Sequence, residues 1–356
     1  MKVHEMEPEN ETKSDTDKSA MDVDLEEALD LAGAGKYQLF HCTLMLTTLL
    51  ASILEMIGIA FILPAAACDL DVPDNVKGII ASIPNIGIIL TAPFWGRAAD
   101  RFGRKPVLLG SLAASGILGF AAAFTPTLLS FAMCKFAGSL FLSVPSSLGY
   151  AYACEMLPRK RRDSAVLTCN GLVNLLTVLS PGLAWAILSS DWQYQLGAIS
   201  LRPWRLLTAV YAAPLIFSAA WMTCAKESPK FLLIRGKDNE ALDVVKHVYS
   251  RNTNNSGDTF SVKSLKGVND LEANVERTSL GLPLEPKGRN ESAWALLRPP
   301  HLKWFALTAF LVFGLFSFLN GLFLLAPDII NKVMTGTEES GSVCELTMQS
   351  DNSVSS

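Results

Sequence analysis

Residues 96–105 read Gly96-Arg97-Ala98-Ala99-Asp100-Arg101-Phe102-Gly103-Arg104-Lys105 and lie between two long apolar segments. The glycines allow a tight turn at which two helices approach each other closely. Short cytosolic loops are commonly basic, which would account for the arginines and the lysine but not for the spacing of glycine and aspartate. We interpret the stretch as a conformational latch between helices, with candidate residues Gly96, Asp100, Arg101, Gly103, Arg104 and Lys105.

Apolar segments on both sides of this loop have the length of membrane-spanning helices, which need roughly 20 apolar residues. Seven segments qualify, at about 38–64, 77–96, 106–124, 128–153, 165–190, 204–225 and 303–327. The sequence therefore predicts an all-α polytopic membrane protein. Its body is a six-span amino-terminal bundle over 37–225, followed by a seventh transmembrane helix over 303–327.

The composition supports a lipid environment. Of the 356 residues, 50% are hydrophobic and 18% are charged, whereas soluble domains carry about 25% charged residues. The net charge of −4 provides no basic surface for nucleic acid, so we expect no nucleic-acid partner. Four scattered histidines and the lack of a phosphate-binding glycine loop or nucleophile triad predict no metal, no cofactor and no enzymatic activity.

The basic residues predict the orientation in the membrane. Lysine and arginine collect in three segments, at 97–105, 159–162 and 226–303. By the positive-inside rule these segments are cytosolic. We expect a cytosolic amino terminus and a multi-pass protein of the plasma membrane or of an intracellular vesicle. A seven-helix receptor is the alternative that the span count allows, but its amino terminus lies on the opposite side.

Polarity predicts the remaining segments. Residues 1–36 hold eleven acidic side chains against four lysines, which indicates a disordered acidic cytosolic tail. Residues 226–302 form a cytosolic loop, in which Ser228 caps an amphipathic helix over 229–249 that begins at Pro229. The rest of that loop is expected to be a linker, and residues 328–356 an extracytosolic tail. Cys68 and Cys344 are both expected on the extracytosolic side, where the two thiols could form a disulfide.

Several motifs resemble the major facilitator superfamily of transporters over about residues 36–345. The loop 96–105 resembles its signature between spans 2 and 3, and Tyr152-Ala153-Cys154-Glu155 resembles the end of span 4 in its sugar-transporter-like branch. The segment 227–233, Glu227-Ser228-Pro229-Lys230-Phe231-Leu232-Leu233, resembles the motif after span 6. Span 1, with Glu55 and Leu63-Pro64-Ala65-Ala66, resembles the synaptic vesicle glycoprotein 2 group and its insect relatives.

The resemblance implies alternating access by two rocking six-helix halves around a central site. It implies a small organic solute, an organic ion or a sugar, as substrate, with a proton or sodium ion as a coupling partner. It also adds Glu155 and Glu227 to the latch. The sequence departs from the pattern at Lys135, where span 4 usually has arginine, and at Lys226, which replaces a proline.

Intramembrane polar residues supply the candidates for a substrate or ion path. Glu55 lies in the middle of span 1, where a carboxylate costs about 2.5–3.5 kcal/mol on insertion scales, and such groups mark ion or substrate paths by default. A structural role, with a protonated carboxyl bound to a neighbouring helix, is the alternative. The other candidates are Asn85, Ser143, Tyr150, Asn174, Trp185 and Asn320. They either line a polar cavity or hold helices together. Lys135 is expected to reach the membrane interface.

Only one span follows the six-span bundle, so we expect an incomplete transporter. One wall of the cavity would then be missing, and unsatisfied polar groups in hydrocarbon are costly. The chain is therefore expected to self-associate or to recruit another membrane protein. A vesicle membrane component that binds partners and transports little is the alternative function.

Overall fold

A computed structural model describes residues 21–190, 192–196, 199–265, 299 and 301–335. The helices are α1 (Leu25–Ala32), α2 (Lys36–Ala66), α3 (Asp74–Phe102), α4 (Arg104–Ala122), α5 (Leu128–Glu155), α6 (Arg159–Thr177), α7 (Leu179–Leu188), α8 (Pro203–Met222), α9 (Pro229–Ile234), α10 (Asp238–Thr253) and α11 (His301–Thr335). The strands are β1 (Met21–Val23), β2 (Tyr194–Leu196), β3 (Ile199–Leu201) and β4 (Val262–Leu265).

The described residues form seven helical segments long and apolar enough to cross a membrane: α2, α3, α4, α5, the α6–α7 pair, α8 and α11. The predicted all-α polytopic membrane fold is confirmed. Two helices extend beyond the predicted spans. The helix of the fifth span begins at Arg159, ahead of residue 165, and α11 continues through 328–335, a segment expected to belong to the extracytosolic tail. Apolar side chains recur at 329, 330, 333 and 334, a helical spacing that accounts for the continued helix.

Local chemistry sets the helix ends. Gly103 alone separates α3 from α4, and its φ of 107° is a conformation that side-chain-bearing residues rarely adopt. Thr127 caps α5 by accepting a hydrogen bond from the backbone N–H of Ser130 at 3.3 Å. Pro203 occupies the first position of α8, where its missing N–H leaves no bond unmade. Each end is therefore explained by its own residues.

The spanning helices pack around α2, α4, α5 and α8. Helix α4 lies between α5 and α8, helix α2 contacts α8 and α5, and α3 packs along α5. The core at one end of the bundle is built on large buried side chains, among them Phe131, Trp204 and Tyr211. By contrast, every side chain of α11 from 302 to 319 is exposed. The first six spans therefore form the packed body.

A small unit flanks the bundle at the end that carries the basic loops; we call it the flanking unit, and it comprises β1, α1, α9, α10 and β4. Strand β1 pairs in parallel with β4, with Met21 opposite Val262 and Val23 opposite Leu265. The amphipathic helix predicted over 229–249 is found as two helices, α9 and α10, separated near Gly236.

Two predictions about this unit are wrong. The tail over 1–36 is ordered from residue 21, because Leu25, Ala28, Leu29 and Ala32 recur at helical spacing and are all buried. The expected linker after 249 contains the last turn of α10 and strand β4. The acidic composition of this segment predicts disorder, since the apolar stripe is short. The segments on which the stripe packs lie more than 200 residues away along the chain.

Candidate functional site

A buried ion pair joins α2 to α5 inside the bundle. The Lys135 Nζ atom lies 2.6 Å from the Glu55 Oε1 atom, and the two side chains are only 3% and 5% exposed. The expectation that Lys135 reaches the membrane interface is therefore wrong. An internal carboxylate at hydrogen-bond distance holds the ammonium group more favourably than a path through hydrocarbon to the headgroups.

The surroundings of this pair are small or aromatic. A β-carbon on Gly119 of α4 would lie 2.9 Å from the Glu55 Oε1 atom, so this glycine leaves room for the carboxylate. The Phe131 ring centroid lies 6.0 Å from the Lys135 Nζ atom. The second carboxylate oxygen of Glu55, Oε2, is buried and has no hydrogen-bond partner among the described residues. One acceptor therefore remains free for a proton or another donor.

The other candidate path residues differ in burial: Ser143 is buried between helices, whereas Tyr150, Asn174 and Trp185 lie toward an exposed face. Ser143 is buried where α5 packs on α3, with its Oγ atom 3.4 Å from the Thr91 Oγ1 atom. Tyr150 donates a hydrogen bond to the Asn170 side-chain oxygen at 3.1 Å, and the Asn174 amide donates to the Asn170 carbonyl at 2.9 Å.

Among the candidates on α6 and α7, Asn174 is exposed and Trp185 is 76% exposed. Tyr150, Asn174 and Trp185 therefore lie toward an open face formed by α5, α6 and α7. Asn85 is half-buried on α3, whereas the side chain of Asn320 lies outside the described residues.

Most of the predicted latch residues meet around Arg104. The Arg104 Nη1 atom lies 3.2 Å from the Asp100 Oδ1 atom, and the Arg104 Nε atom lies 3.5 Å from the Glu155 Oε2 atom. The Arg104 guanidinium also lies over the Phe231 ring, 5.4 Å from its centroid. Helices α3, α4, α5 and α9 thus meet at one cation.

Glu227 caps the amino terminus of α4. Its Oε1 atom accepts hydrogen bonds from the backbone N–H groups of Arg104 at 3.1 Å and Lys105 at 3.2 Å. A negative charge there complements the positive end of the helix dipole. The Lys105 ammonium donates to the Thr223 carbonyl at 3.0 Å. Gly96 is exposed and its missing β-carbon faces open space, so no described contact ties it to the cluster.

Sequence reasoning missed three cations in these networks. Lys135 binds Glu55 instead of reaching the membrane interface. Arg235 donates to the backbone carbonyls of Asp100 and Arg101, although it lies beyond the quoted motif. Arg205 donates to the carbonyls of Ala123 and Thr125 at 2.9 and 2.6 Å. An arginine or lysine inside an apolar run was the available signal for Lys135 and Arg205, since buried charges require partners.

A third charge cluster closes the end of the bundle opposite the latch. The Trp204 indole N–H donates to the Asp69 carboxylate at 3.0 Å, and Arg202 and Arg205 lie 3.4 and 3.7 Å from that carboxylate. Within the described part of the chain no group of histidine, cysteine or acidic residues has the geometry of a metal site. Cys68 is exposed, and Cys344 lies outside the described residues.

A packed six-span bundle with a buried ion pair inside it and charge clusters at its ends defines a multi-pass α-helical membrane protein. The family model of the Major Facilitator Superfamily matches residues 44–343, and the chain belongs to that family. The resemblance inferred from the loop 96–105 is thereby confirmed.

Two sets of relatives refine this placement. Synaptic vesicle glycoprotein 2A of Rattus norvegicus is 28% identical over 249 residues, covering 68% of this chain and 34% of that relative. Synaptic vesicle glycoprotein 2C of Rattus norvegicus is 27% identical over 273 residues, covering 75% of this chain and 37% of that relative. The chain thus spans about a third of the length of the curated relatives it matches.

The fold is similar to solved structures of the xylose transporter XylE from E. coli. A partially occluded, inward-open conformation superposes with a TM-score of 0.55 at 17% sequence identity, covering 68% of this chain and 60% of that one. XylE bound to 6-bromo-6-deoxy-D-glucose gives a TM-score of 0.53, also at 17% identity, with 60% and 50% of the two chains covered. This likeness supports the arrangement of the helices.

Proposed function

We propose that the chain provides the amino-terminal bundle of a transporter that moves a small organic solute across a membrane by alternating access. The observation that carries this proposal is the Glu55–Lys135 ion pair, which is buried in the bundle and has an acceptor to spare. Removing one partner of such a pair typically costs about 3–5 kcal/mol. Hydrophobic packing at these positions would stabilise the bundle equally well. The presence of an ion pair there therefore favours a role in transport.

The pair favours a proton over a sodium ion as the coupling partner. With Lys135 on its Oε1 atom, the Glu55 carboxylate keeps one unpartnered oxygen, which is a complete site for a proton but only a single ligand for a sodium ion. A proton can add to Glu55 and release Lys135, which changes the attraction between α2 and α5. Such a change in helix–helix attraction is a means of biasing two conformations.

The open face of α5, α6 and α7 is proposed to line the solute path. Tyr150, Asn170 and Asn174 offer hydrogen-bonding groups there, and Trp185 offers an aromatic surface. These groups suit a solute with several hydroxyl or amine groups, an organic ion or a sugar-like molecule. A second bundle must face them, supplied by further chain, a second copy or another membrane protein.

The vesicle relatives favour a second candidate function. Two matched relatives carry the words synaptic vesicle in their names. On that basis we propose an intracellular vesicle membrane as the location, with the amino terminus in the cytosol. A binding or regulatory component of that membrane, with little transport of its own, is the alternative to a transporter.

Uptake by vesicles from cells expressing the chain tests these proposals. A panel of organic cations, organic anions and sugars is offered under an imposed proton gradient or an imposed sodium gradient. The double variant Glu55→Gln/Lys135→Gln leaves no unpaired charge, so it should keep its fold. It should lose proton-driven uptake yet retain solute exchange, while Glu240→Gln, on the exposed surface, should behave as the parent.

Three results bear against parts of the proposal. Proton-driven uptake that persists in the double variant would remove Glu55 as the coupling group. Parent vesicles that take up no member of the panel, although the protein is folded and inserted, would favour the binding component. Solute exchange unchanged by Asn174→Ala and Tyr150→Phe together would remove the open face from the path.

A further inference from the structure

A cavity of about 400 Å³ opens where the flanking unit meets the bundle. Its walls come from the first turn of α2, the segment after α8 and the last turns of α10. The lining residues are Lys36, Tyr37, Phe40, Cys224, His247, Arg251 and Asn254. Because α2 and α8 are spanning helices that end here, the cavity lies at the membrane boundary on the side of the amino terminus.

The cavity is rich in positive charge. Lys36 and Arg251 are exposed at its rim, and neither forms an ion pair with any described residue. Burial and the nearby charges of Lys226 and Arg251 lower the pKa of His247 below its usual value. Two unpaired cations at one opening, with Lys226 nearby, favour an anion.

An aromatic row continues from this cavity along an exposed side of α8. The Phe40 ring lies 5.9 Å from the Trp221 ring, and the Trp221 ring lies 5.6 Å from the Phe217 ring, centroid to centroid. Phe217 is 60% exposed. Tryptophan and other aromatic rings favour the headgroup region of a bilayer. A molecule with an anionic head and apolar chains would match both the cavity and this row.

The walls of the cavity are held in place without a ligand. The Asn252 side chain accepts a hydrogen bond from the Tyr37 backbone N–H at 3.0 Å and donates to the carbonyls of Ala32 and Gly33 at 3.2 and 2.9 Å. This side chain ties α10 to the start of α2. The His247 and Tyr37 rings meet edge to face at 5.5 Å. The site is therefore preformed, which lowers the cost of binding.

We propose that this cavity binds the phosphate-bearing headgroup of an anionic phospholipid, with Lys36 and Arg251 on the phosphate and the acyl chains along Phe40, Trp221 and Phe217. The lipid comes from the leaflet on the side of the amino terminus. Basic pockets between transmembrane helices on the cytosolic side are suited to such headgroups. A bound lipid would also join α10 to α2 and α8, and so stabilise the flanking unit against the bundle.

Binding of a soluble short-chain phosphatidylinositol bisphosphate to the purified full chain in detergent tests this proposal. Each lysine or arginine near an anionic lipid surface contributes about fivefold in affinity. Lys36→Gln/Arg251→Gln should therefore weaken binding by at least tenfold. Lys237→Gln removes one positive charge just before α10, where Lys237 pairs with Glu240 at 2.9 Å, and should change nothing. Phe217→Ala/Trp221→Ala should weaken binding of the lipid but not of its headgroup alone.

The remaining measurements separate a lipid from a free anion. Inositol trisphosphate and inorganic phosphate should bind at least tenfold more weakly than the lipid, because they lack acyl chains. Free phosphates that bind as tightly as the lipid would overturn the lipid assignment. Lipid binding that survives Lys36→Gln/Arg251→Gln in a protein with an unchanged melting temperature would overturn the site itself.

Discussion

The carboxylate of Glu227 occupies the space in which a β-carbon of Gly103 would lie. The two residues are brought together by the hydrogen bonds from the Arg104 and Lys105 backbone to Glu227. Glycine at this turn therefore serves two needs, a φ of 107° and room for a capping carboxylate. The loop between α3 and α4 and the segment after α8 consequently form one structure.

Gly103→Ala tests this relationship. The new methyl group meets both an unfavourable φ and the Glu227 carboxylate, so we expect a loss of about 1–3 kcal/mol in stability. Gly110→Ala, in the helix α4 that follows Gly103, is the control. Its β-carbon meets open space, and alanine there should leave stability unchanged or raise it by about 0.5–1 kcal/mol. Thermal denaturation in detergent measures both, and equal melting temperatures for the two variants would contradict the account.

Asp100→Asn should alter conformational switching more than solute affinity. Asp100 is 75% exposed in its pair with Arg104, so the pair itself contributes about 0–1 kcal/mol to stability. Its loss leaves Arg104 with Glu155 and Phe231, which changes the balance between states. Alkylation of a cysteine introduced at Ser164, in the cavity between α2 and α6, reports that balance. A large change in affinity with an unchanged alkylation rate would contradict the latch, and Asp243→Asn is the surface control.

The stability of the flanking unit should fall as the pH is lowered. Burial, Lys226 and Arg251 hold the pKa of His247 below its ordinary value near 6.5, so the folded protein resists a proton that the unfolded chain accepts. The stabilisation is present above about pH 6.5 and is lost as the pH falls through and below that value. The melting temperature should therefore drop between about pH 7.5 and pH 5.5. His247→Gln should show a smaller drop, and an identical drop would exclude this histidine as the cause.

All three N-x-Ser/Thr sequons should remain unglycosylated in eukaryotic cells. Asn254 lies at the end of α10 in the flanking unit, and Asn10 and Asn290 lie outside the described residues on segments predicted to be cytosolic. Treatment with a glycosidase should therefore leave the mass unchanged. A sequon created by Asp71→Asn/Pro73→Thr, in the loop at the opposite end, should be glycosylated. A shift from the native chain would reverse the proposed orientation.

Long-range contacts explain which parts of the structure could be predicted from the sequence. The seven spans and the pairing of Asp100 with Arg104 follow from patterns within about 30 residues. The Glu55–Lys135 pair joins residues 80 positions apart, and no local pattern relates the two. Taken alone, Lys135 is a cation that is expected to reach water, and Glu55 is a carboxylate that is expected on an ion path. Their pairing depends on how α2 and α5 pack, which the local sequence does not reveal.

The order of the flanking unit also depends on contacts between residues far apart in the sequence. The acidic composition of residues 21–36 is a local property, and it predicted disorder. Burial of Leu25 and Leu29 depends on α10, which no pattern near residue 25 reveals. The basic cavity was missed for the same reason, because Lys36 and Arg251 belong to segments that appear unrelated along the chain.

The parallel pairing of β1 with β4 has a consequence for biosynthesis. Strand β1 leaves the ribosome first, yet Val262 follows Met21 by roughly 240 residues. At about 5–20 residues per second, β1 waits ~12–50 s for its partner. All six bundle spans are made in that interval. Strand β1 can therefore pair with β4 only after the whole bundle has been synthesised. A chain stalled before residue 262 exposes an unpaired strand edge to chaperones and proteases.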